Sequence, residues 1–217
     1  AFFLPISVFA GENDRRADRE RGRQSIELKI HHSTRAFSPN GDGKFDLATL
    51  KYTLIPEKTF RRIVVVRDSG TVVKTLFEGT ANRPLNEITW KGDGQGDAIL
   101  EEGKYFFVVV ASNRWDRETE RTEVYLDLKG PEILETRPVE GEVIPLGDDY
   151  AVWARLAARH SELDFTSFYI DGSFAGKRPG KHPHIEIHPR RMSLGGHSLL
   201  IRAVDQVYNA SEKTIHF

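Results

Sequence analysis

Apolar and polar side chains alternate with a period of two along most of the chain, the spacing that places successive side chains on opposite faces of a β-strand. Ile26, Leu28 and Ile30 alternate with Glu27, Lys29 and His31. Leu50, Tyr52 and Leu54 do the same against Lys51 and Thr53, and residues 63–66 form a continuous β-branched run. Residues 72–77 follow an Asp68-Ser69-Gly70 turn, and residues 88–90 precede a glycine-rich turn. Residues 105–111 and 124–128 complete a first block. This is the complement of about seven strands in ~100 residues that a two-sheet sandwich uses.

Lys129-Gly130-Pro131 interrupts the pattern, because proline lacks the donor a central strand needs and glycine favours a bend. Beyond it, residues 132–135, 150–156, 165–170, 185–187, 197–204 and 213–217 repeat the short apolar segments. Residues 151–165 also suit a helix, but Tyr150, Val152 and Trp153 favour a strand. The expected fold class is therefore all-β, with two antiparallel sandwiches in tandem, the first over 25–128 and the second over 131–217.

The start of the chain differs. Residues 1–10, AFFLPISVFA, are an apolar run that turns abruptly polar at Gly11. They are similar to the end of a truncated secretory signal peptide, and are too short to span a bilayer. The alternative is a strand from an upstream domain. Residues 11–24 mix both charges with one apolar residue, Ala17, and read as a solvated linker. An extracytoplasmic location follows, with membrane association only through this N-terminal segment.

Composition narrows the function. Of the 217 residues 39% are hydrophobic and 29% charged, which suits folded domains with solvated surfaces. With 31 basic and 32 acidic residues the net charge is -1, so no global field draws the protein to nucleic acid. The chain has no cysteine, which removes disulfides, thiolate metal sites and cysteine nucleophiles together. The sequence contains no G-x-S-x-G elbow, no phosphate-cradling loop before a helix and no H-E-x-x-H, so no enzyme activity is expected.

Residues 37–46, FSPNGDGKFD, followed by Trp90-Lys91-Gly92-Asp93, Gly96 and Gly103-Lys104-Tyr105, resemble the motifs of bacterial immunoglobulin-like domains related to the C-terminal domain of the flagellar hook-capping protein. The resemblance covers the first block and implies an immunoglobulin-like sandwich. In it Trp90 covers the core edge, Gly92 and Gly96 adopt positive φ, and Tyr105 begins a return strand paired with that of Trp90. The export and hook-binding region of that protein has no counterpart here, so its flagellar function does not transfer with the fold. The second block resembles a bacterial immunoglobulin-like repeat in Gly130-Pro131-Glu132-Ile133, in Tyr169-Ile170-Asp171-Gly172, and in Gly196-His197 leading to Ala203-Val204-Asp205 and Asn209. Tyr208 stands where that pattern usually has glycine.

Three places carry candidate chemistry. Asn40, Asp42, Lys44 and Asp46 present alternate oxygens, Lys44 by its carbonyl, that can surround a structural calcium. The alternative is a rigid turn held by side-chain bonds to backbone amides. His182, His184, Glu186 and His188 fall on one face of a strand, a candidate zinc site; the alternative is the polar outer face of an edge strand. Trp115, in a charged hairpin over 115–121, is a candidate partner-binding anchor, or else folds back onto its own sheet. No cofactor is implied beyond calcium. The expected role is a non-enzymatic structural or interaction module of an exported bacterial protein, with protein partners in a periplasmic or surface assembly. The alternative is an adhesin or a carbohydrate-binding accessory module.

Overall fold

The computed structural model describes residues 25–80 and 86–217. The signal-peptide and linker expectations for 1–24 lie outside the described residues. The chain forms β1 (Glu27–Ser33), β2 (Ala36–Phe37), β3 (Ala48–Ile55), β4 (Phe60–Arg67), β5 (Val72–Gly79), β6 (Glu87–Trp90), β7 (Gly103–Ser112) and β8 (Arg117–Leu126). It continues through β9 (Glu132–Arg137), β10 (Tyr150–Ala157), β11 (Leu163–Ile170), β12 (Ser173–Arg178), β13 (His184–Ile187), β14 (Ser198–Asp205) and β15 (Ala210–His216). One short 3-10 turn, Pro189–Arg191, interrupts them.

The sheets have the orders β1-β3-β6 and β2-β8-β7-β4-β5 in the first half, and β13-β10-β9 and β12-β11-β14-β15 in the second. The two halves share one wiring. Strands β9, β10 and β13 correspond to β1, β3 and β6, and β15-β14-β11-β12 corresponds to β8-β7-β4-β5. In each half the chain crosses between facing sheets after β3 and on either side of β6, and likewise after β10 and on either side of β13, and the protein is a tandem pair of immunoglobulin-like β-sandwiches. In the first, β2 leaves the sheet of β1 and pairs parallel with β8, through Ala36 with Tyr125 and Phe37 with Leu126.

Alternation decides which face is buried. On β7, Tyr105, Phe107, Val109 and Ala111 point inward, and on β3 Ala48, Leu50, Tyr52 and Leu54 meet them from the other sheet. The second core gathers Val152, Ala154 and Leu156 of β10, Phe168 of β11, Ile185 and Ile187 of β13, and Leu199, Ile201 and Ala203 of β14. The two apolar interiors share no residue. One exception to apolar burial is Arg61, whose guanidinium donates to the Tyr52 hydroxyl at 3.3 Å and to the Glu57 carbonyl.

Several sequence expectations are corrected here. The charged hairpin over 115–121 is the tip of the β7–β8 hairpin, but its turn is confined to the four residues before Arg117, and 117–121 already belong to strand β8. The ten-residue ladder of β7 draws this polar segment into register, Arg117 opposite Ser112 and Arg121 opposite Val108. Its long side chains cover apolar surface, as Arg121 does 3.5 Å above the Phe106 ring. Strands β2 and β12 went unrecognised, the first because two residues show no period and the second because Ser-Phe-Ala-Gly-Lys-Arg lacks one. Finally, β6 and β7 do not pair. They lie in opposite sheets, and Trp90 meets Tyr105 across the core with ring centroids 5.3 Å apart.

Trp90 is 1% exposed, with Phe37 and Phe107 also against its indole and Nε1 donating to the Asp93 carbonyl at 2.9 Å. Gly92 has φ +79°, and a Cβ there would lie 2.9 Å from both Leu126 and Pro39. The left-handed residue at the loop tip is Asp97, φ +60°, in place of Gly96. Trp90→Ala should destabilise the first sandwich by about 3–5 kcal/mol through lost burial and the cavity left behind. Urea unfolding followed at Trp153 should leave the second sandwich's transition in place. A joint shift of both transitions would show that the halves unfold as one unit.

Candidate functional site: the junction between the sandwiches

The junction brings together residues from both halves. At the end of β8, the chain carries Asp127, fully buried, whose amide donates to the Phe37 carbonyl at 3.0 Å. Its carboxylate Oδ2 accepts the Ser161 amide at 2.7 Å, and its carbonyl accepts Asn209 Nδ2 at 2.9 Å. Asn209 closes the chain from the other side, its Oδ1 accepting the Ser38 hydroxyl at 2.7 Å. The three side-chain bonds, from Ser161, Asn209 and Ser38, cross from one sandwich to the other and are shielded from water, where a lost partner costs more than the bond itself contributes.

Asn209 is held by its own turn. Asp205, 2% exposed at the end of β14, accepts the amides of Val207 and Asn209 on Oδ1 at 3.0 and 2.9 Å. The turn forces Tyr208 to φ +67°, a conformation that favours glycine. Its ring explains why tyrosine stands there. It stacks on Phe45 of the first sandwich, centroids 5.8 Å apart and planes 23° from parallel, with Lys44 Nζ 4.3 Å from its centroid. A second cross-junction stack pairs Tyr125 with His160 at 5.8 Å.

The linker leaves no slack. A Cβ on Gly130 would lie 2.4 Å from the backbone carbon of Ala210 and 2.6 Å from the Ser211 amide, so the backbones of linker and β15 touch. Outer ion pairs join Arg35 to Glu162 at 3.4 Å, and Glu102 to Lys129 and Arg159 at 3.2 and 3.6 Å. Exposed pairs of this kind contribute little. Clefts of about 650 and 640 Å³ flank the junction, the first lined by Asn40, Gly130 and Asn209, the second by Phe45, Ser161 and Tyr208.

The residues singled out in the sequence fall as follows. In the 40–46 loop, Asn40 Oδ1 accepts the Asp42 amide at 2.9 Å and Asp42 Oδ1 the Lys44 amide at 2.7 Å. Asp46 takes the Gly41 and Gly43 amides on its two oxygens, both at 2.8 Å. The oxygens that a cation would use thus close the loop as a turn, and that turn presents Lys44 and Phe45 to Tyr208. His182, His184, Glu186 and His188 are all exposed along one side of β13, an edge strand. His188 engages the Asp149 carboxylate. Among the described residues no three His, Cys, Asp or Glu side chains form a metal-holding group. Trp115 is 47% exposed, with the Arg114 guanidinium 3.7 Å from its ring centroid. Sequence reading missed the roles of Ser38, Asp127 and Ser161. Ser38, Asp205, Tyr208 and Asn209 stood in the quoted motifs, whose polar letters were the available signal.

No family profile matches the chain, and no curated protein matches it. Among solved structures, it is similar to fibronectin(III)-like modules of Clostridium thermocellum CbhA, with 15% identity, coverage of 88% of this chain and 92% of that one, and a TM-score of 0.38. A three-Ig segment of titin shows 12% identity, coverage of 88% and 64%, and a TM-score of 0.47. A 1.5-MDa bacterial ice-binding adhesin shows 14% identity, coverage of 88% and 62%, and a TM-score of 0.40. The chain spans less than two thirds of the titin and adhesin structures. Identity this low assigns no role to any residue of the junction.

Burial pushes the Asp205 carboxyl upward, and the Asp127 charge adds to this, while the neighbouring Ser161 hydroxyl and the bonds from the Asn209 and Val207 amides oppose it. The folded protein therefore holds this proton more tightly than the unfolded chain does. Its contribution to stability is full below the unfolded value of about 3.9 and is lost as pH rises through the raised folded value. The stability difference between native protein and Asp205→Asn should accordingly change across that window, with the native protein gaining on the variant as pH falls. Parallel stability profiles would contradict the upward shift.

Proposed function

We propose that this chain is a non-enzymatic structural module of an exported bacterial protein, whose two immunoglobulin-like domains are held in a fixed mutual orientation. The observation that carries the reading is the buried chain Ser38–Asn209–Asp127–Ser161, which ties the domains together by hydrogen bonds that solvent does not replace. Domains joined by a short, mostly exposed linker move relative to one another by default. Here the seam is built against that motion, as suits a spacer that positions neighbouring parts of a periplasmic or surface assembly. The resemblance of the first domain to the hook-capping type supports an extracytoplasmic setting, and the domain limits are 25–128 and 131–217.

A second reading, an adhesin or carbohydrate-binding accessory module, is favoured by the half-exposed Trp115 under Arg114, since tryptophan and arginine are common interface anchors. Glycan and matrix-protein binding that Trp115→Ala abolishes would decide for it.

Small-angle scattering of the protein should fit one arrangement of the domains. Replacing Asn209 with Ala leaves the Ser38 hydroxyl and the Asp127 carbonyl without their partner and should weaken the junction by about 1–3 kcal/mol. Its scattering should then broaden to a distribution of interdomain distances. A native profile that already requires such a distribution would sink the spacer reading.

A further inference from the structure

We propose that Asp127, Asp205 and Ser161 form a binding site for one calcium ion shared between the two domains; the inference rests on the junction being formed as described above. Two carboxylates are buried there, at 0% and 2% exposure, and the Asn209 amide group bridges their residues, donating to the Asp127 carbonyl and to Asp205 Oδ2. The Ser161 amide donates to Asp127 Oδ2, and its hydroxyl lies beside the Asp205 carboxyl. Three oxygens are left poorly served. Asp127 Oδ1 and Ser161 Oγ are buried without any hydrogen-bond partner among the described residues, and Asp205 Oδ2 has only the Asn209 amide group at 3.3 Å.

Among the described ion pairs none includes Asp127 or Asp205. The basic groups nearby are engaged elsewhere, Lys129 and Arg159 with Glu102, and Arg35 with Glu162. An uncompensated carboxylate out of water is costly, and two together repel. One shared proton removes one charge and leaves the other, whereas a divalent cation balances both.

The donor set selects the ion. All the free atoms are oxygens, which excludes a preference for the nitrogen and sulfur ligands of zinc. Calcium tolerates an irregular oxygen shell, while magnesium demands a near-octahedral one and keeps its waters. Ser161 also lies in the wall of the 640 Å³ cleft, from which solvent can supply water to complete the shell.

The test is calorimetric titration of calcium chloride into the intact, chelator-stripped protein, with melting and scattering measured in calcium and in chelator. One calcium per chain should bind and raise the melting temperature. Asp127→Asn should weaken binding by about tenfold or more, since calcium affinity follows ligand charge. Ser161→Ala, which keeps the backbone bond to Asp127, should weaken it while leaving the circular dichroism unchanged. Binding that survives both variants and disappears in Asp42→Ala with Asp46→Ala would move the ion to the 40–46 loop and overturn the proposal. Absence of binding, with equal melting in calcium and chelator, would also overturn it, and would leave water or a proton at the site. In that case a single-arrangement scattering profile in chelator would keep the spacer reading, and a flexible one would end both.

Discussion

Polar groups removed from water must find one another, and at the seam of this protein they can do so only if the two domains sit in one relation. The Asp127 carbonyl and carboxylate, the Ser161 amide, the Asn209 amide group and the Ser38 hydroxyl are each a partner that the other domain lacks on its own. Apolar contact would allow sliding, because it is non-directional. Hydrogen bonds at 2.7–2.9 Å do not. The orientation of the sandwiches is thus set by a handful of directional contacts placed over two independent cores.

The loop at 37–46 links these levels. Phe37 fills the first core against Trp90, Ser38 reaches the second domain, and the turn closed by Asp42 and Asp46 delivers Lys44 and Phe45 to the ring of Tyr208. One segment therefore serves folding and assembly together. Tyr208 shows the same economy: its left-handed backbone is strained for any residue with a Cβ, and the ring that this side chain carries supplies the stack across the seam.

Most of the strand pattern was legible because alternation is a local property, as β3 shows from Ala48 to Leu54, while β7 is a continuous apolar run in which only the burial alternates. Strand β8 was half hidden, since its first residues are polar and pair only because β7 lies beside them. The pairing of β6 was misread for a related reason. A tryptophan and a tyrosine fifteen residues apart can meet across a hairpin or across a core, and sequence spacing does not distinguish the two. The junction was least legible of all. Asp127 and Ser161 look like ordinary loop residues, and their meaning arises only when segments distant in sequence converge; their neighbours Asp205 and Asn209 at least carried a recognisable turn.

Gly130 bears a consequence of its own. Because its α-carbon rests against the main chain of β15, the smallest possible enlargement, a single methyl group, would pry the modules apart. Loops that lie away from the seam can drift freely without altering how the modules face each other. The angle between them thus depends on one codon as well as on the polar contacts of the seam.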